Sequence, residues 1–192
     1  ITNSQGTWFV SNYRYSFFDA TCSCGNPIPA GCITPCEPEK NFIFKMNKGS
    51  TIKSCRISGP MYHYQDFNNP EFICGGIYLA HDQQFNMVLS SSYTVLNCEI
   101  FGFSYAGIFA DILTSDILIK NSYIHHVKGV LRKPGIGYGV WFQSGPPDGT
   151  LFVAHISIEN TIFDDCKAGI DGKGEFTDWL LNGCSFTQFL FS

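Results

Sequence analysis

Four charged residues in the last third of the chain, Asp164, Asp165, Asp171 and Lys173, make the best acidic cluster of this 192-residue sequence. Paired aspartates suit inverting hydrolysis of a glycosidic bond, with one carboxyl as acid and the other activating water. Carboxylates held in register would also bind a hard cation such as calcium, and Asp111 and Asp171 are the candidate ligands. His125 and His126 are adjacent and offer a general base. The competing reading makes them turn histidines, with one of the two facing solvent.

Nine cysteines, Cys22, Cys24, Cys32, Cys36, Cys55, Cys74, Cys98, Cys166 and Cys184, favour an oxidising compartment and hence an extracellular or cell-surface location. All nine are disulfide candidates, and the odd number leaves at least one thiol free or bonded to another chain if the rest pair. The run Cys22, Cys24, Cys32 and Cys36 lacks the spacing of a zinc finger or ribbon and is crowded by Pro and Gly, so it reads as a stapled loop. No histidine is placed by motif to activate a cysteine nucleophile.

The elements that must carry these residues emerge as an internal repeat. Five segments align on Ser54, Asn97, Asn121, Asn160 and Gly183. Two residues earlier stand Ile52, Val95, Ile119, Ile158 and Leu181. One residue later stand Cys55, Cys98, Ser122, Thr161 and Cys184, all small. Three residues later stand Ile57, Ile100, Ile124, Phe163 and Phe186, all apolar. Period-two apolar positions on either side of a turn residue describe two short strands facing one core. Asn suits the turn through its side chain and its tolerance of the left-handed conformation. A third strand begins at Gly76, Gly107, Gly139 and Gly169 and places Asp111 and Gln143 in the column of Lys173. Two intervals between anchors fit one solenoid turn of about 20–30 residues. The other two require insertions, expected at about 59–75 and 128–138, with a further one at about 144–152. In stacked rungs Cys55 and Cys98 share a column, which suits either a disulfide or a buried thiol ladder.

These motifs, seen in ILIKNSYIHHV…GYGVWF and ISIENTIFDDC…AGIDG, resemble the right-handed parallel β-helix of the pectate-lyase-like superfamily. The resemblance spans roughly residues 42–192. It implies an all-β, single-stranded right-handed parallel β-helix, a solenoid of about five rungs. Polysaccharide lyases of this fold hold calcium on stacked carboxylates beside a basic residue and remove a proton next to a uronate carboxylate, which here would fall to Asp111, Asp171 and Lys173. The sequence departs from the enzymes of the family. It has no Asn-Thr-Asp, Gly-His-Gly or Arg-Ile-Lys set and no clear Arg-based lyase motif, and it is short beside them.

Residues 1–41 fall outside the repeat and read as an aromatic, Cys- and Pro-rich N-terminal cap or arm over the open end of the solenoid. The sequence opens on Ile1 rather than Met, as a processed product or a fragment would. At the other end the last rung runs through Phe186, Phe189 and Phe191 with no polar capping helix, so either a fragment was cut there or another subunit covers the end. The loop aromatics Tyr62, Tyr64, Phe67 and Phe72, with Arg132 and Lys133 from the neighbouring insertion, are candidates for a sugar-stacking or protein-docking surface.

A net charge of −4 with no basic block makes nucleic acid a poor partner. No apolar run reaches the ~20 residues that span a bilayer. The sequence therefore reads first as an extracellular structural subunit, a homo-oligomer or polymer forming a filament, sheath, surface layer or virion appendage, without a cofactor. The second reading is a carbohydrate-active β-helix: a lyase, a hydrolase or a glycan-binding adhesin, with calcium as its ion.

Overall fold

The structure, a computed structural model, describes residues 2–10, 42–59, 75–79, 92–110, 114–129, 137–143, 153–173 and 176–187. Every regular element among them is a strand: β1 (Thr2–Val10), β2 (Phe42–Met46), β3 (Thr51–Ser58), β4 (Gly75–Leu79), β5 (Tyr93–Leu96), β6 (Glu99–Phe101), β7 (Ala106–Ala110), β8 (Ser115–Lys120), β9 (Tyr123–His125), β10 (Tyr138–Gln143), β11 (Val153–Glu159), β12 (Ile162–Asp164), β13 (Ala168–Lys173), β14 (Phe176–Asn182) and β15 (Ser185–Thr187).

The strands form two parallel sheets. One runs β14-β11-β8-β5-β3-β6-β9-β12-β15, with β1 also paired to β3; the other runs β13-β10-β7-β4-β2. From β4 onward each strand pairs with the one three places further along, so the backbone climbs level by level and like residues stack. Ile57, Ile100, Ile124, Phe163 and Phe186 are in register, as are Ile52, Val95, Ile119, Ile158 and Leu181. The long sheet bends at β3, which pairs β5 through Thr51–Lys53 and β6 through Arg56–Ser58. This all-β, parallel, curled architecture is compatible with a solenoid.

The bend has a local cause. Ser54, Asn97, Asn121, Asn160 and Gly183 all have positive φ, between 45° and 64°. That conformation suits Gly and Asn and is costly for most side chains. The small residue that follows each anchor completes the corner. Cys55 Sγ, Cys98 Sγ, Ser122 Oγ, Thr161 Oγ1 and Cys184 Sγ each donate to the carbonyl two residues earlier, at 3.2, 3.2, 3.0, 3.0 and 3.8 Å. The column is small and polar because it turns inward at the corner, where its donor shares a carbonyl that also accepts an anchor N–H from the neighbouring level at Lys120, Glu159 and Asn182. Cys55, Cys98, Cys166 and Cys184 are free thiols, so Cys55 and Cys98 form a thiol ladder here. The other five cysteines lie outside the described residues.

The glycines that open the third strand also stack. A Cβ on Gly76, Gly107 or Gly139 would meet the carbonyl oxygen of the glycine one level on at 2.6, 2.7 and 2.5 Å. Glycine is required there by close approach. The main core holds the aliphatic columns with Phe103, Phe142 and Phe163. A second cluster, Tyr78, Tyr105, Ala106 and Phe109 with Phe42, Tyr138 and Trp141 packed against it, is built on the shorter sheet.

Candidate functional site

The residues between the inward columns of β6, β9, β12 and β15 form a stripe on the opposite face. Arg56, Glu99, Tyr123, Ile162 and Ser185 stand in one column; Ser58, Phe101, His125, Asp164 and Thr187 stand in the next. His126 and Asp165 follow at the corner, both with positive φ. The sheet thus brings His125, His126, Asp164 and Asp165 together from separate repeats.

Their side chains belong to two polar networks, one through Glu99, the two histidines and Asp165 and one around Asp164. Arg56 is ion-paired with Glu99, and its second contact, Nη2 to Glu99 Oε1, is 3.1 Å. Glu99 Oε1 lies 3.3 Å from His125 Nε2. His125 Nδ1 is 2.6 Å from His126 Nδ1, and His126 Nε2 is 3.5 Å from Asp165 Oδ2. Lys128 Nζ holds the same Asp165 oxygen at 2.7 Å. Tyr123 Oη donates to Asp164 Oδ2 at 3.0 Å, and Thr187 Oγ1 donates to Asp164 Oδ1 at 2.7 Å. His125 is buried although it lies on the outward side. It stacks on Tyr123 at 4.1 Å and on Phe101 at 4.8 Å. His126 is exposed, so one of the pair does face solvent.

Burial lowers the basicity of His125, against the opposing pull of the Glu99 hydrogen bond. Its imidazole favours the neutral form. The Thr187 hydrogen bond, with help from Tyr123 and the histidines, holds the Asp164 carboxyl below the usual aspartate value. Burial and the Asp164 hydrogen bond push the Tyr123 phenol up to about 12. At neutral pH the stripe therefore offers an ionised carboxylate, a protonated phenol and a neutral imidazole. It supplies hydrogen-bonding groups for a polar ligand more readily than a matched acid–base pair.

Asp171 and Lys173 lie elsewhere. Both are on β13 of the shorter sheet, beyond the corner after Asp165. Asp171 is in register with Trp141, and Lys173 with Gln143. The column expected for Gln143 and Lys173 is present, and Asp111 lies outside the described residues. Asp171 is exposed and its Oδ1 accepts the Gly172 amide at 2.8 Å. The outward neighbours on this sheet are aromatic: Tyr78 stacks on Phe109 at 5.5 Å, and Phe109 meets Trp141 at 5.1 Å. Among the described residues, no group of three or more His, Cys, Asp or Glu side chains is placed to hold a metal ion. Tyr62, Tyr64, Phe67, Phe72, Arg132 and Lys133 lie outside the described residues, as do Phe189 and Phe191.

Glu99, Tyr123, Arg56, Lys128 and Thr187 are site residues that sequence reasoning missed. A signal for three of them was present. Arg56, Glu99 and Tyr123 fill the position between the small and apolar columns, where outward residues must stand. An open groove of about 620 Å³ follows that edge, lined by Ser54, Asn97, Asn121 and Asn160 with Glu99 and Tyr123.

The last level differs from those beneath it. Leu181 is 48% exposed and Phe186 44%, whereas Ile158 and Phe163, their partners one level down, are 0% exposed. Trp179, in register with buried Ile156, is exposed too. β13, β14 and β15 are terminal strands of their stacks, so three parallel edges lie open at one level among the described residues. No helix among the described residues is long and apolar enough to cross a membrane.

Comparison with protein-family models, with curated protein sequences and with solved structures found no match to this protein.

Proposed function

We propose that this protein is a right-handed parallel β-helix of the pectate-lyase-like type and serves as an extracellular, self-assembling structural subunit. Copies join end to end through the last level, where a second copy supplies the next parallel strands. The observation that carries this reading is the exposure of Leu181 and Phe186 at positions whose counterparts below are fully buried. Apolar columns with three open strand edges match what an added rung would bury and pair. Sedimentation and electron microscopy of the purified protein, with reducing and non-reducing electrophoresis, test it. Concentration-dependent oligomers or filaments, weakened by Leu181→Asp or Phe186→Asp, support the proposal. A clean monomer at high concentration overturns it.

A second reading rests on a different observation: Trp141 and Asp171 are in register on the aromatic face of the shorter sheet, beside Gln143 and Lys173. In that reading the face binds or cleaves an acidic glycan, with calcium assisting. Binding of uronate polymers that is lost with Asp171→Asn and with chelator would favour it.

A further inference from the structure

The open edge at the last level has a chemical consequence. Asn182 and Gly183 are the one Asn–Gly pair in the sequence, and both are exposed. At three of the four lower corners the anchor amide is tied to the next level: Asn97 N–H donates to Lys120 O at 3.0 Å, Asn121 N–H to Glu159 O at 2.9 Å, and Asn160 N–H to Asn182 O at 2.8 Å. Gly183 occupies the same corner, with φ of 64°. Its acceptor would belong to a strand beyond β14, and among the described residues its N–H meets none. Asn182 is the last residue of β14, so a local opening of the edge lets its side chain reach the next amide. A backbone nitrogen without a Cβ at its own residue is the least hindered nucleophile a polypeptide offers.

We infer that Asn182–Gly183, exposed at the last level of the described residues, is a spontaneous deamidation site. The Gly183 nitrogen attacks Asn182 Cγ and loses its proton, the bond from Cγ to Nδ2 breaks, and ammonia leaves. The resulting five-membered succinimide is opened by one water molecule at either carbonyl, giving aspartate or isoaspartate. No oxidant or reductant is needed. Each product places a negative charge beside Leu181 and at the open edge, and isoaspartate also lengthens the backbone by one carbon. A covering rung would engage the Gly183 N–H and slow the reaction. Only that last consequence rests on the proposed end-to-end assembly.

The test is incubation of the purified protein in neutral to mildly alkaline buffer, followed by digestion and mass spectrometry. The peptide containing residues 182–183 is expected to gain about one dalton, with isoaspartate at position 182. It should do so about tenfold or more ahead of Asn97, Asn121 and Asn160, which sit in central levels whose opening costs more. Asn182→Gln should hold its mass. If the native peptide keeps its mass while a synthetic peptide of the same sequence converts, the inference is overturned. Separation of monomer from any oligomer before digestion isolates the second claim. Equal conversion in both fractions overturns protection by a covering rung, and a protein that is only monomeric overturns the assembly reading while deamidation at Asn182 stands.

Discussion

A Cβ placed on Gly107 would lie 2.7 Å from the carbonyl oxygen of Gly139 and 2.9 Å from Ile124 Cγ2. Neither neighbour is the tip of a flexible surface side chain, so an added methyl must shift backbone or core. Gly107→Ala should destabilise the fold by about 1–3 kcal/mol, the usual cost of overpacking. Chemical denaturation against wild type measures it, and an unchanged midpoint would refute the role of close approach.

Asn121 sits at the central corner with φ of 51°, and its Oδ1 accepts a 3.4 Å hydrogen bond from Asn160 Nδ2. Asn121→Ala should cost about 1–2 kcal/mol, the penalty of the left-handed conformation for an ordinary residue. Asn121→Gly should recover most of that loss, since glycine accepts positive φ without a Cβ. Equal losses in the two variants would shift the cause from backbone conformation to the amide ladder.

Ser122 Oγ donates to Lys120 O at 3.0 Å and accepts from Cys98 N–H at 3.2 Å. The Cys98 N–H is buried, whereas Lys120 O also accepts the Asn97 N–H. Ser122→Ala strands the Cys98 N–H and should cost about 1–3 kcal/mol, whereas Ser122→Thr keeps the hydroxyl and matches the chemistry of Thr161 one level on. Thermal melting of the two variants distinguishes them.

Asp164 contributes to the pH dependence of the stripe at the acid end. Its pKa is lowered, first by Thr187 and then by Tyr123 and the histidines. A depressed carboxyl adds stability above its unfolded value of about 3.9 and loses it as pH falls through the folded value. The melting temperature should therefore drop below about pH 4, and Asp164→Asn should flatten that drop. An identical acid limb in wild type and variant would show that Asp164 does not carry it.

The thiols should react in the order of their burial. Cys166 is pushed up to about 12 and Cys98 to about 11, both chiefly by burial. The thiolate is the reactive form, so both should resist alkylation of the native protein. Cys184, in the open level and partly exposed, should label first. Uniform labelling before unfolding would contradict the packing of the ladder.

The legible part of the fold lay in single columns. Ser54, Asn97, Asn121, Asn160 and Gly183 mark a backbone conformation, and the chemistry of that conformation is local. Their period with the flanking aliphatics sufficed to read stacked parallel strands. The candidate site was legible only in part. His125, His126, Asp164 and Asp165 follow inward positions of the repeat, so their proximity across levels could be read, but Glu99, Tyr123 and Arg56 owe their roles to partners in other repeats.

What the sequence by itself determined is thus the corner, the inward columns and the glycine stack, because each answers to the φ, size or polarity demanded at one position. Tertiary structure alone decided that Asp164 and Asp171, seven positions apart in the numbering, stand on different sheets. It also decided that His125 is buried under Phe101 and Tyr123 and that the columns closed over Ile158 and Phe163 lie open at Leu181 and Phe186. Burial and pairing depend on which strand lies on the next level, and no single repeat carries that information.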